Sequence, residues 1–251
     1  MSSEKRFSYE WSKKGSMIFP EYEGQFFNWI QPLNKDFLKG KKILDAGCGM
    51  GRNSYWCLKH GAKEVTAFDN NLNTIKAAKK NLREFDNKKI EFKSIYDIDY
   101  ENEFDFVFSI GVIHHLKYPK LAIKNLIRAL EPGGILLIWV YGYENNEWVV
   151  RYINPIRRIT SHLPTPLTYN LSYLFSVPLY IYLKTFRQKG KYFRHLKKFR
   201  FHHIHLITFD HLLPIHAMYY TKEGAKRLLD GMRDIVIIHT NDNSWTVMAK
   251  K

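Results

Sequence analysis

Short apolar runs alternate with amphipathic stretches in the first part of the chain. The runs at 41–46, 63–68, 90–95, 104–110 and 134–141 each predict a β-strand, and the last is apolar throughout, as in a strand covered on both faces. Between them, the apolar spacing of residues 72–85 predicts an amphipathic helix, and residues 118–130 predict a second one. Strands that alternate with helices are typical of a doubly wound parallel sheet, which binds ligands at the carboxyl ends of its strands.

The alternation stops for residues 142–219, which are rich in Pro, Tyr, Phe, Lys and Arg and predict several short helices. Residues 221–231 then predict a regular helix with Thr221 as its N-cap. Two further apolar runs, at 233–239 and 244–250, are separated by a tight polar turn. They predict an antiparallel hairpin at the end of the sheet.

The sequence that joins the first strand to the next helix, ILDAGCGMGR at 43–52, has glycines at alternate positions. Glycine lets the backbone turn sharply and lets a ligand touch the main chain, and the helix that follows begins with unpaired N–H groups. The spacing G-x-G-x-G, with Asp45 two residues ahead of it, differs from the dinucleotide pattern G-x-G-x-x-G. It resembles the first motif of class I S-adenosylmethionine-dependent methyltransferases.

That resemblance implies S-adenosyl-L-methionine as the cofactor, with S-adenosyl-L-homocysteine as its product, and a loop that wraps the methionine end. The implied loop contacts are Asp45, Gly47, Cys48, Gly49 and Gly51. The resemblance also implies the fold class: α/β, with a Rossmann-like, seven-stranded, mostly parallel sheet that ends in a C-terminal antiparallel hairpin. A helical, aromatic cap would be inserted after strand 5.

Four segments follow from these patterns. They are an N-terminal helical cap (1–40), a cofactor-binding core (41–141), a basic substrate cap (142–219), and a C-terminal helix and hairpin that complete the core sheet (220–251). Aromatic residues lie among charges in the N-terminal cap, where we expect one or two short helices over the mouth of the site.

An acid at the end of the second strand, Asp69, is placed to accept the two hydroxyls of a ribose, although a strand-end acid can also cap the next helix. Asn70 is expected at the adenine edge. By resemblance, Asp97 holds the adenine amino group, with Tyr96 and Asp99 competing for that position. The carbonyls of Ser109 and Ile110 are implied to lie near the cofactor's amino group.

The fourth strand continues into SIGVIHHL at 109–116, followed by a helix that begins with proline and then by EPGG. This order resembles the type 11, or UbiE-like, methyltransferase subgroup, which includes quinone, small-molecule and tRNA-modifying enzymes. His114 and His115 follow the strand end, beside the expected methyl group. Histidine suits proton removal because its pKa lies near neutrality. The alternative is that one or both rings brace the loop.

The net charge of the 251-residue chain is +15, and it is unevenly placed. Residues 148–209 contain eleven Lys or Arg and no Asp or Glu, which indicates an anionic partner. Only two cysteines, Cys48 and Cys57, are present, so we expect neither a disulfide framework nor a metal site. The first residues have no apolar core of a signal peptide, and 167–183 is too interrupted to span a membrane, so we expect a cytoplasmic protein.

Substrate contacts are expected from aromatic and basic residues of the two caps. The candidates are Trp11, Tyr22, Arg157, Arg158, His211, His216, Tyr219 and Tyr220. Arginine recognises phosphate well, although many basic residues of such a segment belong to solvated helix faces.

Three acceptors fit these features. The preferred one is a small anionic metabolite, phosphorylated or linked to a nucleotide or sugar, that receives a methyl group on oxygen. The insertion start YGYENNEWVVR and the strand NSWTV resemble bacterial enzymes of surface-polysaccharide and natural-product pathways. The alternatives are a wobble-uridine tRNA, and a quinone or lipid reached by peripheral contact with an anionic membrane. A catalytically dead, cofactor-binding partner subunit is the non-enzyme alternative, and the oligomeric state is left open.

Overall fold

The computed structural model describes residues 18, 20–188, 191–214 and 216–251. Its centre is a seven-stranded sheet in the order β3-β2-β1-β4-β5-β7-β6. The strands are β1 (Lys42–Ala46), β2 (Glu64–Asp69), β3 (Lys88–Phe92), β4 (Phe104–Ile110), β5 (Leu130–Tyr141), β6 (Arg233–Thr240) and β7 (Ser244–Lys250). The first five pair in parallel, and β7 runs antiparallel between β5 and β6. The predicted fold class is confirmed.

Helices cover both faces of the sheet. In chain order they are α1 (Pro20–Trp29), α2 (Lys35–Leu38), α3 (Arg52–Lys59), α4 (Leu72–Asn81) and α5 (Pro119–Ala129), with α11 (Lys222–Arg227) after the insertion. Their starts have local causes: the Asn71 side chain caps α4 by accepting from two backbone N–H groups, and Pro119 occupies the first turn of α5.

Two apolar layers enclose the sheet because successive strand residues point to opposite faces. Ile43 packs with Phe106 and Leu137 in one layer. The neighbouring Leu44 packs with Val107 and Leu136 in the other. These residues are fully buried, so the central strands are held from both sides, as their continuous apolar runs predict.

The insertion after β5 is helical. It contains a π-helical turn (Val149–Ile153), α6 (Asn154–Thr160), α7 (Thr165–Leu171), α8 (Tyr173–Thr185), α9 (Lys191–Leu196) and α10 (Phe201–Leu212). Helix α8 packs on α10, with Leu183 and Ile204 buried in a small cluster of their own. The two ends of the insertion meet through main-chain hydrogen bonds. The backbone N–H of Tyr143 donates to the Tyr220 carbonyl (2.8 Å), and the backbone N–H of Tyr220 donates to the Tyr141 carbonyl (2.9 Å).

Two predicted strands, the third and the fifth, differ from the observed ones by more than one residue at an end. The third strand ends at Phe92 rather than at 95, because the chain turns where the Ser94 hydroxyl and carbonyl accept from Tyr96 and Asp97 N–H groups. The fifth strand starts at Leu130 instead of 134: Leu130 pairs with Phe104, and the proline and glycines after it form an irregularity inside the strand. The apolar Ile95 is buried in the core from a loop.

Candidate active site

The glycine loop between β1 and α3 depends on backbone conformations that other residues adopt poorly. Gly47 has φ +81° and Gly51 has φ +77°. A Cβ on Gly47 would lie 2.4 Å from a methyl carbon of Val112, so the loop packs against the segment after β4 with no space for a side chain. The amides of Gly47 and Cys48 both donate to the Phe68 carbonyl at 2.9 Å, which ties the loop to β2.

Asp69, at the end of β2, also holds this loop. One carboxylate oxygen accepts from the Gly49 amide at 3.0 Å. The other accepts from the Asn71 amide (2.9 Å) and the Thr74 hydroxyl (3.0 Å), both at the start of α4. Asp69 thus caps the start of α4, one of the two roles considered for this acid, and it also lines the cavity wall. Ribose binding by Asp69 stays a prediction.

Asp45 lies behind the loop and is buried. Its carboxylate accepts from the Ser54 hydroxyl at 2.6 Å, in the first turn of α3. Burial raises the pKa of Asp45 to about 7, and the Ser54 hydrogen bond opposes that rise. The side chain does not reach the cavity, so its contribution is to fix the helix that follows the loop.

A cavity of about 410 Å³ lies at the carboxyl edge of the parallel strands, within the usual size range of small-molecule sites. Its walls come from the glycine loop, the end of β2, the start of α4 and the segment after β4. Trp29 of α1, Trp139 and Tyr141 of β5, and Asp210 of α10 complete them. The site therefore draws residues from the N-terminal helix, the core and the insertion.

His115 lines this cavity with a defined tautomer. Its Nδ1 lies 2.9 Å from the His216 carbonyl oxygen. A carbonyl only accepts hydrogen bonds, so Nδ1 carries the proton and Nε2 carries the lone pair of the neutral ring. Burial lowers the pKa of His115 to about 4, although the bond to His216 raises it. The ring is thus neutral at pH 7 and able to accept a proton at Nε2.

The neighbouring His114 has a different environment. It is fully buried, and its ring stacks on that of Tyr141 with centroids 3.8 Å apart. Neither ring nitrogen has a hydrogen-bond partner in the described part of the chain. Burial holds the pKa of His114 well below its usual value. These contacts make His114 a packing residue beneath the cavity wall.

Several residues of the cavity wall were missed by the sequence analysis, among them Arg52 and Asp210. The Arg52 guanidinium lies over the rings of Tyr22 (4.5 Å) and Trp29 (5.3 Å), and burial lowers its pKa while Tyr22, Asp210 and Asp45 favour its charge. Arg52 is the last residue of the loop motif, and Asp210 is the first acid after residue 147. Both positions were therefore visible signals in the sequence.

Arg157, expected to bind substrate, is buried and does not line the cavity. Its guanidinium donates to the His211 carbonyl (2.6 Å), the Asn154 side chain (2.7 Å) and the Tyr219 hydroxyl (3.2 Å). The Tyr219 ring in turn stacks on Tyr141 at 5.4 Å. Arg157 thus joins α6, α10 and the segment leading back to the core, behind the Tyr141 wall.

The other expected substrate residues that the structure describes also lie outside the cavity wall. Arg158 and His216 have exposed side chains, and half-buried His211 has its pKa lowered by burial to about 4. Tyr22 is buried beneath Arg52, and the half-buried Tyr220 hydroxyl donates to the Met218 sulfur. Trp11 lies outside the described residues. Among the described residues of the insertion, Asp210 lines the cavity in their place.

The expected cofactor contacts divide in the same way. Cys48, Gly49, Asn70 and Ile110 line the cavity, as Gly47 and Asp69 do. The exposed Asp97 does not, and Lys93 and Ile95 take the wall on that side. Tyr96 and Asp99, its competitors, are absent from the wall too.

Ser109 is buried, and its hydroxyl donates to the Ala46 carbonyl at 2.9 Å, joining β4 to β1. Within the described ranges, no three His, Cys, Asp or Glu side chains are grouped to hold a metal.

Comparison with known proteins places this geometry in a class. Residues 44–138 match the family model described as Methyltransferase domain. A tRNA U34 carboxymethyltransferase from Helicobacter acinonychis is 36% identical over 115 residues, which are 44% of this chain and 44% of that protein. The chain thus spans less than half the length of this curated relative.

Solved structures extend the likeness to the whole chain. The N-methyltransferase NodS from Bradyrhizobium japonicum, in complex with S-adenosyl-L-homocysteine, has a TM-score of 0.59 and 11% identity, with 100% of this chain and 99% of that one covered. Magnesium protoporphyrin IX methyltransferase from Synechocystis also scores 0.59, at 13% identity, covering 98% and 93%.

The chain has the fold of class I S-adenosylmethionine-dependent methyltransferases. Residues 44–138 match the model of a methyltransferase domain, as the glycine loop and SIGVIHHL predicted. The resemblance to polysaccharide and natural-product enzymes stays a prediction.

Proposed function

We propose that this protein is an S-adenosylmethionine-dependent methyltransferase that methylates an oxygen of a small anionic acceptor. The observation that carries the proposal is the single cavity that has the glycine loop and Asp69 in one wall and the neutral His115 in another. A cofactor site and a proton acceptor are thus parts of one enclosed space, as group transfer requires.

The residues present fit the cofactor of this fold. The loop offers main-chain atoms close to the cavity because Gly47 has no side chain, and Gly51 opens α3 with its N–H groups directed towards the loop. Asp69 and Asn70 line the same wall, and we assign the ribose hydroxyls to the Asp69 carboxylate. We assign the adenine side to Lys93 and Ile95, in place of Asp97.

The chemistry divides between the cofactor and the chain. S-adenosylmethionine supplies a methyl carbon that is activated by a positively charged sulfur. His115 accepts the proton of the acceptor hydroxyl at Nε2, because Nδ1–H is already held by the His216 carbonyl. The low pKa of His115 keeps the ring neutral before the reaction, and an anionic acceptor beside it would raise that pKa and favour the proton transfer.

Two cations of the cavity wall, Arg52 and Lys93, can bind an anionic acceptor beside the acids Asp69 and Asp210 of the same wall. Arg52 is held at the wall by two aromatic rings, and its guanidinium can bind a carboxylate or a phosphate. Arg157 acts indirectly in this proposal, as a positioning residue that fixes Tyr219 against Tyr141. A precursor of a surface polysaccharide is the acceptor that the sequence resemblance favours.

A second acceptor, tRNA, is supported by a separate observation. The relative that is 36% identical over 115 residues is named a tRNA U34 carboxymethyltransferase, and the insertion has eleven basic residues and no acid over 148–209. A continuous basic surface binds a polyanion independently of the shape of the reaction cavity.

The test offers methyl-labelled S-adenosylmethionine with two acceptor pools, bulk tRNA and an extract enriched in phosphorylated metabolites. Label in the extract alone supports the small acceptor, whereas label in tRNA alone replaces it with the second candidate. The control is Asp69→Ala, which is expected to remove labelling of either pool together with cofactor binding measured by calorimetry. Wild-type protein that binds no cofactor would contradict the proposal itself.

A further inference from the structure

Helix α8 of the insertion is apolar on its outer face as well as on its inner one. The inner face buries Leu183, together with Ser172, just before the helix, and Ser176, whose hydroxyl lies 2.9 Å from a ring nitrogen of His205. The outer face exposes Leu174 by 70% and Ile181 by 56%. A helix that meets water on its outer face is polar there.

The exposed apolar surface is continuous along this helix. It comprises Leu174, Phe175, Val177, Ile181, Tyr182 and, at the C-cap, Phe186. Their spacing of three and four residues places them along one side of α8. We call these six residues the α8 outer face. Aliphatic and aromatic side chains in such a contiguous row mark an interaction site, since isolated exposed residues need no explanation but a row does.

The charges next to this face have a single sign. Exposed basic side chains follow α8 along the chain: Arg187, Arg194, Lys197, Lys198 and Arg200. No Asp or Glu occurs anywhere between residues 148 and 209. Lys184 is oriented by the carbonyls of Lys197 (2.6 Å) and Phe199 (3.2 Å), which connects the end of α8 to this basic segment.

This combination selects one kind of partner. A second copy of the same face would bring two sets of cations together with no acid to offset them. RNA would use the cations but would gain little from Leu174 and Ile181, because bases stack on aromatic rings and not on aliphatic side chains. An anionic bilayer satisfies both features, with its acyl boundary taking the apolar side chains and its headgroups taking the cations.

We propose that the α8 outer face docks the protein on an anionic lipid surface, with the helix lying in the plane of the interface. The described part of the chain contains no helix with the length and apolarity to cross a bilayer, so the contact is peripheral. This inference goes beyond the methyltransferase proposal, because it concerns where the protein binds and not what it methylates.

The test is co-sedimentation of the full chain with vesicles of phosphatidylcholine alone and of phosphatidylcholine mixed with phosphatidylglycerol. Binding is expected to the anionic vesicles and is expected to weaken at high salt. It is expected to fall about tenfold or more in the double variant Leu174→Ser, Ile181→Ser, which removes two exposed aliphatic groups that would insert into the bilayer. The matched control is Leu121→Ser, which changes a 46% exposed leucine on α5 of the core and is expected to leave binding unchanged.

Circular dichroism and thermal unfolding of each variant show that any loss is not a folding defect, and cofactor affinity is measured separately. No binding to anionic vesicles, or equal binding by the double variant, would overturn the proposal. A stable dimer that the double variant dissociates would instead assign the face to a second copy. Because none of these assays requires methyl transfer, failure of the lipid-docking proposal is distinguishable from failure of the proposed methyltransferase activity.

Discussion

The methyltransferase core and the insertion after β5 are stabilised in opposite ways. In the core, whole strands such as β1 bury every residue after the first, and apolar layers enclose them on both sides. In the insertion, buried hydroxyls bond to backbone and ring atoms: Thr160 donates to the Leu212 carbonyl at 2.9 Å, and Thr168 to that of Thr160 at 3.1 Å. Large apolar side chains such as Leu174 face outwards instead. The core thus uses its apolar side chains to fill its own interior, whereas the insertion leaves apolar side chains available to a partner outside the chain.

The largest expected effect comes from the loop that is most typical of the core. Gly47→Ala places a methyl group 2.4 Å from Val112 at a φ of +81°, so both sterics and backbone strain oppose it. We expect cofactor affinity, measured by calorimetry, to fall a hundredfold or more, by about 3 kcal/mol.

Gly40→Ala is the matched control, because Gly40 has φ +69° but no heavy atom near the added Cβ. It is expected to cost about 1 kcal/mol of unfolding free energy, from strain alone, and to leave cofactor binding intact. Equal loss of cofactor affinity in the two variants would mean that the close packing of the loop on Val112 is unimportant.

The next effect concerns His115, which belongs to the core but is held by the carbonyl of His216 near the end of the insertion. In His115→Asn the amide N–H can still donate to that carbonyl, while the proton acceptor at Nε2 is lost. We expect kcat to fall about a hundredfold with cofactor affinity within about twofold, by the usual size of general-base catalysis.

The pH profile of the wild type gives an independent check. With a pKa of about 4, His115 stays neutral down to acidic pH, so the acid limb of kcat/KM is expected well below the usual 6.5 of a free histidine. An unchanged kcat in the variant, or an acid limb near 6.5, would leave His115 with a bracing role only.

Variants of Arg157 and Arg158 compare a buried position of the insertion with an exposed one. Arg157→Ala removes three hydrogen bonds of a buried guanidinium and is expected to lower unfolding free energy by about 2–3 kcal/mol in urea titrations. Arg158→Ala, at an exposed position, is expected to change it by less than about 0.5 kcal/mol. Were the two variants equally stable while only Arg157→Ala raised KM, Arg157 would contact the acceptor directly.

The smallest effect is a pH dependence of stability in the core. The pKa of His114 is depressed by burial, so below about pH 6.5 the unfolded chain binds a proton there that the folded chain does not. Unfolding free energy therefore falls as the pH is lowered from 7 towards 5, by up to about 1.4 kcal/mol per pH unit for this group.

His114→Phe keeps an aromatic ring against Tyr141 and removes the proton site. Its unfolding free energy is expected to vary less with pH, by about one proton, when denaturant titrations at pH 7, 6 and 5 are compared with the wild type. An unaltered slope would place the acid sensitivity in other histidines, of which His115, His205 and His211 also have lowered pKa values.

Local patterns were sufficient for the core because its signals are short in range. The alternation of apolar runs and helical periods predicted the sheet, and the spacing of glycines around Cys48 predicted a loop that lines the cavity. The boundary errors have local causes too: Ser94 turns the chain earlier than the apolar Ile95 suggested, since residue 95 is buried without being in a strand.

The insertion could not be read in this way, because its contacts join residues far apart in sequence. No residue close to Arg157 in the sequence indicates that its guanidinium donates to His211 and Tyr219 rather than to an acceptor. Asp210 reaches the cavity only because α10 returns to the core, and Asp97 lies outside it because the turn after β3 directs Lys93 and Ile95 inward instead. Residue type suggested the chemistry, but the path of the chain decided which residues share a site.

The meeting of the insertion's two ends has a consequence for how such proteins diversify. Tyr143 and Tyr220 are joined by main-chain hydrogen bonds at the edge of the sheet, so everything between them is closed off as one large loop. The entropy of closing a loop rises only slowly with its length. The segment can therefore lengthen, shorten or be exchanged as a unit while β5, β7 and the cofactor loop keep their places. Replacing this segment can thus change which partners the protein recognises without altering the methyltransferase core.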